Sequence, residues 1–248
     1  MILSGARVAR GPEQAERLDV EIRAGRVATL RRPGPPRRDA IDLRGYLILP
    51  GLINAHDHLE FALFPRLGRR GGYTSAGDWA RDIYRSEESP VREQLRVPKT
   101  VRLTWGGLRN LLSGVTTVCH HNPRAAAFDR RFPVRVVERF GWAHSLEFSP
   151  DVAERFRRTP QGRPFILHLG EAVDGVGWRE ISQLDEMGAL DGRTVLVHGV
   201  ALDARGLRLA KKRGASLVWC PSSNLFLLGR TLTPAALRCG VRVALGTD

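Results

Sequence analysis

From Pro50 onward the sequence alternates short apolar runs with amphipathic stretches, and that rhythm restricts the folds open to the chain. The runs lie at 51–55, 115–119, 134–137, 165–167, 195–197, 217–219 and 241–245. Between them sit helices with recognisable ends. Asp203 caps a helix over 204–213 that Gly214 stops, and Thr233 caps another, opened by Pro234 and closed by Gly240. Trp178, Ile181 and Leu184 mark the inner face of a third. Repeated strand–helix alternation implies a parallel sheet with helices outside, either open and doubly wound or closed as a (β/α)8 barrel. Polar residues cluster just past the strand ends in several units, which is where barrel enzymes carry their chemistry. The expected fold is therefore α/β, a TIM-type (β/α)8 barrel.

Two stretches depart from the rhythm. Only about 45 residues separate Val118 from Phe165, which is tight for two full βα units. One strand–helix pair is expected to be short, and 134–140 and 143–148 read as consecutive strands or as one bent strand. Before Pro50 the pattern is β. Leu18, Val20 and Ile22 alternate with polar residues, Ala24-Gly25 supplies a turn, and Val27 to Leu30 returns. The proline-rich stretch 31–38 is a loop, and another strand is expected over 41–49. The domains expected are a partial β-sandwich at 1–48 and the barrel at 49–248.

Composition narrows the class. With 248 residues, 42% hydrophobic and 26% charged, the chain can bury a sizeable core. No apolar run approaches the roughly 20 residues that span a bilayer, and the start lacks a secretory pattern, so a cytoplasmic protein is expected. Cys119, Cys220 and Cys239 are odd in number and widely spaced, which suits buried thiols better than disulfides or metal ligation. The net charge of +13 raises nucleic acid as a partner. The charge is almost all arginine, however, in doublets scattered at 31–32, 37–38, 69–70, 130–131 and 157–158, with no recognition motif beside them. A small-molecule substrate is expected instead, with neither membrane nor nucleic acid as partner. A homo-oligomer stays open.

The strongest local signal is His56-Asp57-His58 at the end of an apolar run. In a strand, residues i and i+2 share a face, so both imidazoles enter one space while Asp57 points away. Paired imidazoles at a barrel mouth suit zinc or a similar ion. A lone histidine after a strand is ordinarily a structural residue. Here His168, His198 and Asp248 each end a further strand, and Glu171 follows His168 by three residues. Four strands delivering ligand-type residues together outweigh the structural explanation. Glu60, His120, His121 and Asn224 are lesser candidates, each with a structural role as its alternative.

The phrases Leu49-Pro-Gly-Leu-Ile-Asn-Ala-His-Asp-His58, Gly114-Val-Thr-Thr-Val118, Cys220-Pro-Ser-Ser-Asn224 and Gly246-Thr-Asp248 resemble the amidohydrolase superfamily. The branch they resemble contains aminohydrolases and chlorohydrolases of nitrogen heterocycles. The resemblance implies His56, His58, His168 and Asp248 as ligands of one divalent metal ion, Zn2+ foremost with Fe2+ as the alternative. It implies Glu171 as proton shuttle, and His198 as the group orienting the water or polarising the substrate, with Asp248 also catalytic. The implied reaction is hydrolysis of non-peptide C–N bonds in cyclic amidines by a metal-activated water. Hydrolytic dehalogenation or ring opening at the same site is one alternative, and an inactive truncated barrel another. A bridging carboxylate for a second ion has no counterpart, because Lys99, Lys211 and Lys212 lie away from the strand ends. Members of the resembled family continue past this aspartate with a final helix and a return into the small sheet, so an incomplete barrel is expected.

Overall fold

The computed structural model describes residues 1–35, 37–175, 177–233 and 238–248. It divides into two compact units, Met1–Gly51 and Leu52–Asp248.

The first unit is a single five-stranded sheet made of β1 (Ile2–Gly11), β2 (Gln14–Arg23), β3 (Arg26–Arg31), β4 (Ala40–Asp42) and β5 (Leu47–Ile48). The expected Ala24-Gly25 turn joins β2 to β3, with φ of 49° and 72°. Positive φ at both central residues gives the twist that matches an antiparallel ladder. The strand expected over 41–49 is instead two short strands, each parallel to β1. Asp42 accepts from the Arg44 amide at 3.0 Å and Gly45 takes φ 89°, so the chain turns between them. Val8, Leu18 and Val20 form the buried centre of this unit.

The second unit carries eight strands and seven helices among the described residues. The strands are β6 (Leu52–Asp57), β7 (Val115–His120), β8 (Arg135–Val136), β9 (Gly141–Trp142), β10 (Phe165–Leu169), β11 (Thr194–His198), β12 (Ser216–Trp219) and β13 (Arg242–Leu245). The helices are α1 (Ala76–Ile83), α2 (Val91–Arg96), α3 (Lys99–Leu112), α4 (Val152–Arg158), α5 (Glu180–Glu186), α6 (Ala204–Arg213) and α7 (Pro221–Leu228). The strands run parallel in sequence order, as a sheet β6-β7-β8 and a sheet β9-β10-β11-β12-β13. No ladder joins β8 to β9 or β13 to β6 among the described residues, so the sheets do not form a closed ladder. The amides of Thr247 and Asp248 nevertheless both donate to the His56 carbonyl at 3.1 Å, which brings the end of β13 against β6.

The tight stretch resolves into two two-residue strands, with only residues 137–140 between them and no helix. Residues 143–148, expected as strand, hold bends and turns. The expected helix over 204–213 forms as α6. The Asp203 carboxylate accepts from the Arg205 and Gly206 amides, and Gly214 at φ 76° ends it. Ile181 and Leu184 are buried on α5, but Trp178 precedes that helix and is 49% exposed, so it is not part of the inner face. The helix expected after Thr233 falls largely on residues outside the described ones. The phrase 220–224 opens α7, with Pro221 in its first turn, where a missing amide costs nothing.

Strand β10 shows how the core positions the site. All five of its residues are buried. Phe165, Leu167 and Leu169 pack with Ile181, Leu184, Leu207 and Ala210 of the helices, while Ile166 packs with Cys119, Val197, Val218 and Cys220. Burial raises the Cys119 thiol to about 12 and pushes Cys220 higher still, as expected for inert structural cysteines. None of the described helices is long and apolar enough to cross a membrane. Asp203→Ala removes the acceptor at the start of α6 and should cost about 1 kcal/mol in urea denaturation.

Candidate functional site

The strand ends bring their polar side chains into one buried cluster. Between Asn54 and Asp57 strand β6 carries one residue more than β7, a bulge that turns the backbone just before the paired histidines. Asn54 and Asp57 face helix α3, where Asp57 Oδ2 accepts from Asn54 Nδ2 (2.9 Å), Asn110 Nδ2 (2.8 Å) and Thr247 Oγ1 (3.2 Å). Asp57 therefore points away from the histidines, as the pleat requires, and ties β6 to α3 and to the chain's last residues. Burial, opposed by these bonds, raises its pKa.

On the other face, Nε2 of His56 lies 3.2 Å from Nε2 of His168, and Nε2 of His58 lies 3.3 Å from the same atom. Asp248 Oδ1 lies 2.8 Å from His56 Nε2 and 3.5 Å from His58 Nε2. Zinc bound to nitrogen and oxygen at about 2.0–2.1 Å in a tetrahedron has ligand atoms about 3.3 Å apart. Three of these four separations match that edge length, and the fourth is a hydrogen-bond length. The donors fit one small divalent ion. His168 Nδ1 bonds the His144 carbonyl at 2.8 Å, so the proton sits on Nδ1 and the Nε2 lone pair faces the cluster. Ser223 Oγ donates to Asp248 Oδ2 at 2.5 Å and steers the other carboxylate oxygen toward the histidines.

His198 reaches the cluster by a different route. It pairs in register with Leu169, and its neighbour Leu196 packs outward against the helices, so the pleat alone would turn it away. Its φ of 74° breaks the pleat. Such a backbone costs a non-glycine residue about 1–3 kcal/mol and is found where surrounding structure enforces it. The ring ends buried and stacked on His168, centroids 5.3 Å apart. A chain of donors then sets its tautomer. Trp219 Nε1 donates to Thr231 Oγ1 (2.7 Å), Thr231 donates to Asn224 Oδ1 (3.4 Å), and Asn224 Nδ2 therefore faces His198 Nδ1 (2.8 Å). Nδ1 accepts, so the proton sits on Nε2, 3.3 Å from Glu171 Oε2.

Charge is divided sharply here. Burial holds His58 near 3 and His198 near 4, and it pushes His168 well below the usual histidine range. These imidazoles are neutral at pH 7, as ligation requires. Burial, with Asp248 and Glu180 nearby, raises Glu171 well above the carboxylate range. Burial also works against the Asp248 carboxylate, but His198, His56 and His58 outweigh it and hold Asp248 well below its ordinary value.

All six residues expected from the sequence thus meet in one place. The lesser candidates His121 and Asn224 also border it, whereas Thr231, Ser223 and the His144 carbonyl were not anticipated as parts of it. His121 was legible in principle: Cys119 packs inward, His120 follows outward, and His121 turns inward again. Glu60 lies apart, paired with Lys99 at 2.6 Å and Asn122 at 3.1 Å. His120 accepts from the Leu59 amide at 3.3 Å and packs on Phe128, a structural position. Gly246 closes the site mechanically, because a Cβ there would lie 2.9 Å from Cys220 Sγ and Val218 Cγ1 and 3.0 Å from His56 Cβ. Gly246→Ala should cost about 1–3 kcal/mol in denaturation and weaken cation retention by displacing Asp248 from His56.

No protein-family model matches the chain. It is 30% identical, over a 309-residue alignment covering all of this chain and 63% of the relative, to a 5-methylthioadenosine/S-adenosylhomocysteine deaminase of Syntrophobacter fumaroxidans. It is 26% identical to the protein of that name from Haloarcula marismortui, covering 100% of this chain and 68% of that one. The chain thus spans about two thirds of the length of these relatives. Among solved structures it resembles a triazine hydrolase from Arthrobacter aurescens, with TM-score 0.72 and 18% identity over 99% of this chain and 71% of that one. It also resembles an adenosine deaminase from Xanthomonas campestris crystallised with bound zinc, with TM-score 0.64 and 18% identity over 100% and 68%. The structural likeness establishes the fold, and the similarity to the two named deaminases runs the whole length of this chain.

Proposed function

We propose that this chain is a metal-dependent hydrolase of non-peptide C–N bonds, deaminating nitrogen heterocycles that contain a cyclic amidine. The observation that carries the reading is the convergence of His56, His58, His168 and Asp248 within 2.8–3.5 Å, with Glu171 and His198 beside them. In this reading residues 49–248 are an incomplete (β/α)8 barrel, and residues 1–48 are part of a β-sandwich. One divalent ion, Zn2+ first and Fe2+ second, is held by His56, His58, His168 and Asp248. Such an ion supplies the Lewis acidity that makes water a nucleophile at neutral pH.

The protein's own groups supply the rest. Asp248 stays ionised and can accept the proton that the attacking water sheds. Glu171 keeps its proton past the ordinary carboxylate range, so it is the donor to a ring nitrogen or to the departing amine. Two carboxyl groups with pKa values driven apart is the arrangement that assigns base to one and acid to the other. His198, protonated on Nε2 and neutral, orients the water or polarises the substrate rather than taking a proton. The named deaminases among the relatives favour ammonia as the leaving group. Halide is the second choice, because the chain shares its fold with an atrazine chlorohydrolase.

The test is ammonia release from aminated purines, pyrimidines and triazines by the zinc-loaded chain. Glu171→Gln should lower kcat roughly 10²–10⁴-fold while leaving the cation in place. Because the protonated acid is the active form, turnover should persist below the raised pKa of Glu171 and fall as pH rises through it. Ammonia release by the metal-stripped chain, or by His56→Ala, would end this reading.

A further inference from the structure

Glu171, the proton donor of the reading above, stands on the loop after β10 rather than on a strand. Residues 73–76, at the start of α1, run alongside that loop as a strap. Ser75 pairs with Ala172 in an antiparallel bridge. On one side of the pair the Ala76 amide donates to the Glu171 carbonyl at 3.0 Å, and on the other the Val173 amide donates to the Thr74 carbonyl at 2.8 Å. The far end of the strap is tied as well, because the Tyr73 amide donates to the Leu227 carbonyl at 2.9 Å, in the last turn of α7. The same helix carries Asn224, whose Nδ2 faces His198 Nδ1 at 2.8 Å, while His198 Nε2 lies 3.3 Å from Glu171 Oε2. His198 is thus held between two elements, the Glu171 loop and α7, that the strap joins.

The strap is itself firmly seated. Tyr73 is buried, and its hydroxyl donates to Asp82 at 2.7 Å and accepts from the Arg69 amide at 3.0 Å. Ser75 is extended, with φ −148° and ψ 159°, and its hydroxyl caps α1 by accepting from the Asp78 amide at 3.1 Å. We infer that the backbone amide of Ala76 is a positioning group for Glu171: it fixes the carbonyl of the acid, and so sets where the carboxyl stands against His198 and the substrate. A displacement of about 1 Å at a reacting group lowers turnover by about 10²-fold. The inference rests on the reading of Glu171 as the proton donor.

Ala76→Pro tests it. Proline lacks the N–H and suits the first position of a helix, and Ser75 already has the conformation that a residue before proline takes. The proline Cδ replaces the amide hydrogen, so the Glu171 carbonyl must move away. kcat and KM are measured with the aminated purine, pyrimidine or triazine from which the zinc-loaded wild-type chain releases ammonia fastest. Ala76→Pro should lower kcat roughly tenfold or more, leave KM within about threefold and keep one equivalent of Zn2+ bound. Added to Glu171→Gln, it should change kcat less than about twofold, because the group it positions is already gone. Unchanged kcat in Ala76→Pro, an equal loss with and without Glu171→Gln, or loss of Zn2+ overturns the inference. Should Ala76→Pro fail to fold by circular dichroism, L-lactic acid in place of Ala76, introduced by nonsense suppression, removes the same N–H and keeps the shape, and the same outcomes decide. A zinc-loaded wild-type chain that releases no ammonia defeats the hydrolase reading and this inference together, whereas an active wild-type chain indifferent to Ala76→Pro overturns the inference alone.

Discussion

The carbonyl of His56 accepts hydrogen bonds from the amides of both Thr247 and Asp248, and the chemistry of the molecule depends on that junction. It joins the first strand of the second unit to the last, across about 190 residues of sequence. Beneath it, Asp57 collects Asn54, Asn110 and Thr247 into one buried network, so the junction is braced from the helix side. Above it, Gly246 permits the approach by having no side chain to strike His56. Asp248 reaches the histidines only because each of these contacts holds. An aspartate without them would lose side-chain entropy on binding a cation, and the affinity would fall accordingly.

Much of this was legible in the sequence, for reasons that can be traced to particular residues. His56 and His58 share a face because alternate residues of an extended chain do, and Asp57 points to α3 by the same rule. Asp203 and Gly214 bound α6 because the backbone groups at a helix end need partners, and those two residues supply the acceptor and the left-handed turn. The site's supporting contacts were not legible. His198 enters through a left-handed backbone that breaks the pleat, and no periodicity announces such a break. Asn224 lies in α7 rather than at a strand end, so its bond to His198 depends on how a helix seats under β11. The His144 carbonyl that orients His168 is a backbone group, and side-chain identity says nothing about it. Strands β8 and β9 show the limit of apolar patterning: two residues each suffice, and longer apolar runs mark neither their length nor the missing helix between them.

The division of charge follows from burial. Burial keeps His58, His121, His168 and His198 neutral, since a proton on any of them would sit in a dry pocket beside other rings. The same dryness raises Glu171, while the rings that surround Asp248 keep it charged. A pocket with neutral nitrogen donors, one anion and one neutral acid is matched to a dication that must activate water and then release a protonated leaving group. The charges of His58, His168, Glu171 and Asp248 are set by their own burial and by neighbouring histidines and carboxylates.

The central claim is that His56, His58, His168 and Asp248 grip a common ion, and anomalous diffraction at the zinc edge from crystals of the zinc-loaded chain tests it directly. The account predicts one strong peak per chain, about 2.0–2.2 Å from nitrogen atoms of His56, His58 and His168 and from a carboxylate oxygen of Asp248. No peak in the cluster, or zinc bound only at surface histidines or carboxylates elsewhere, would contradict it.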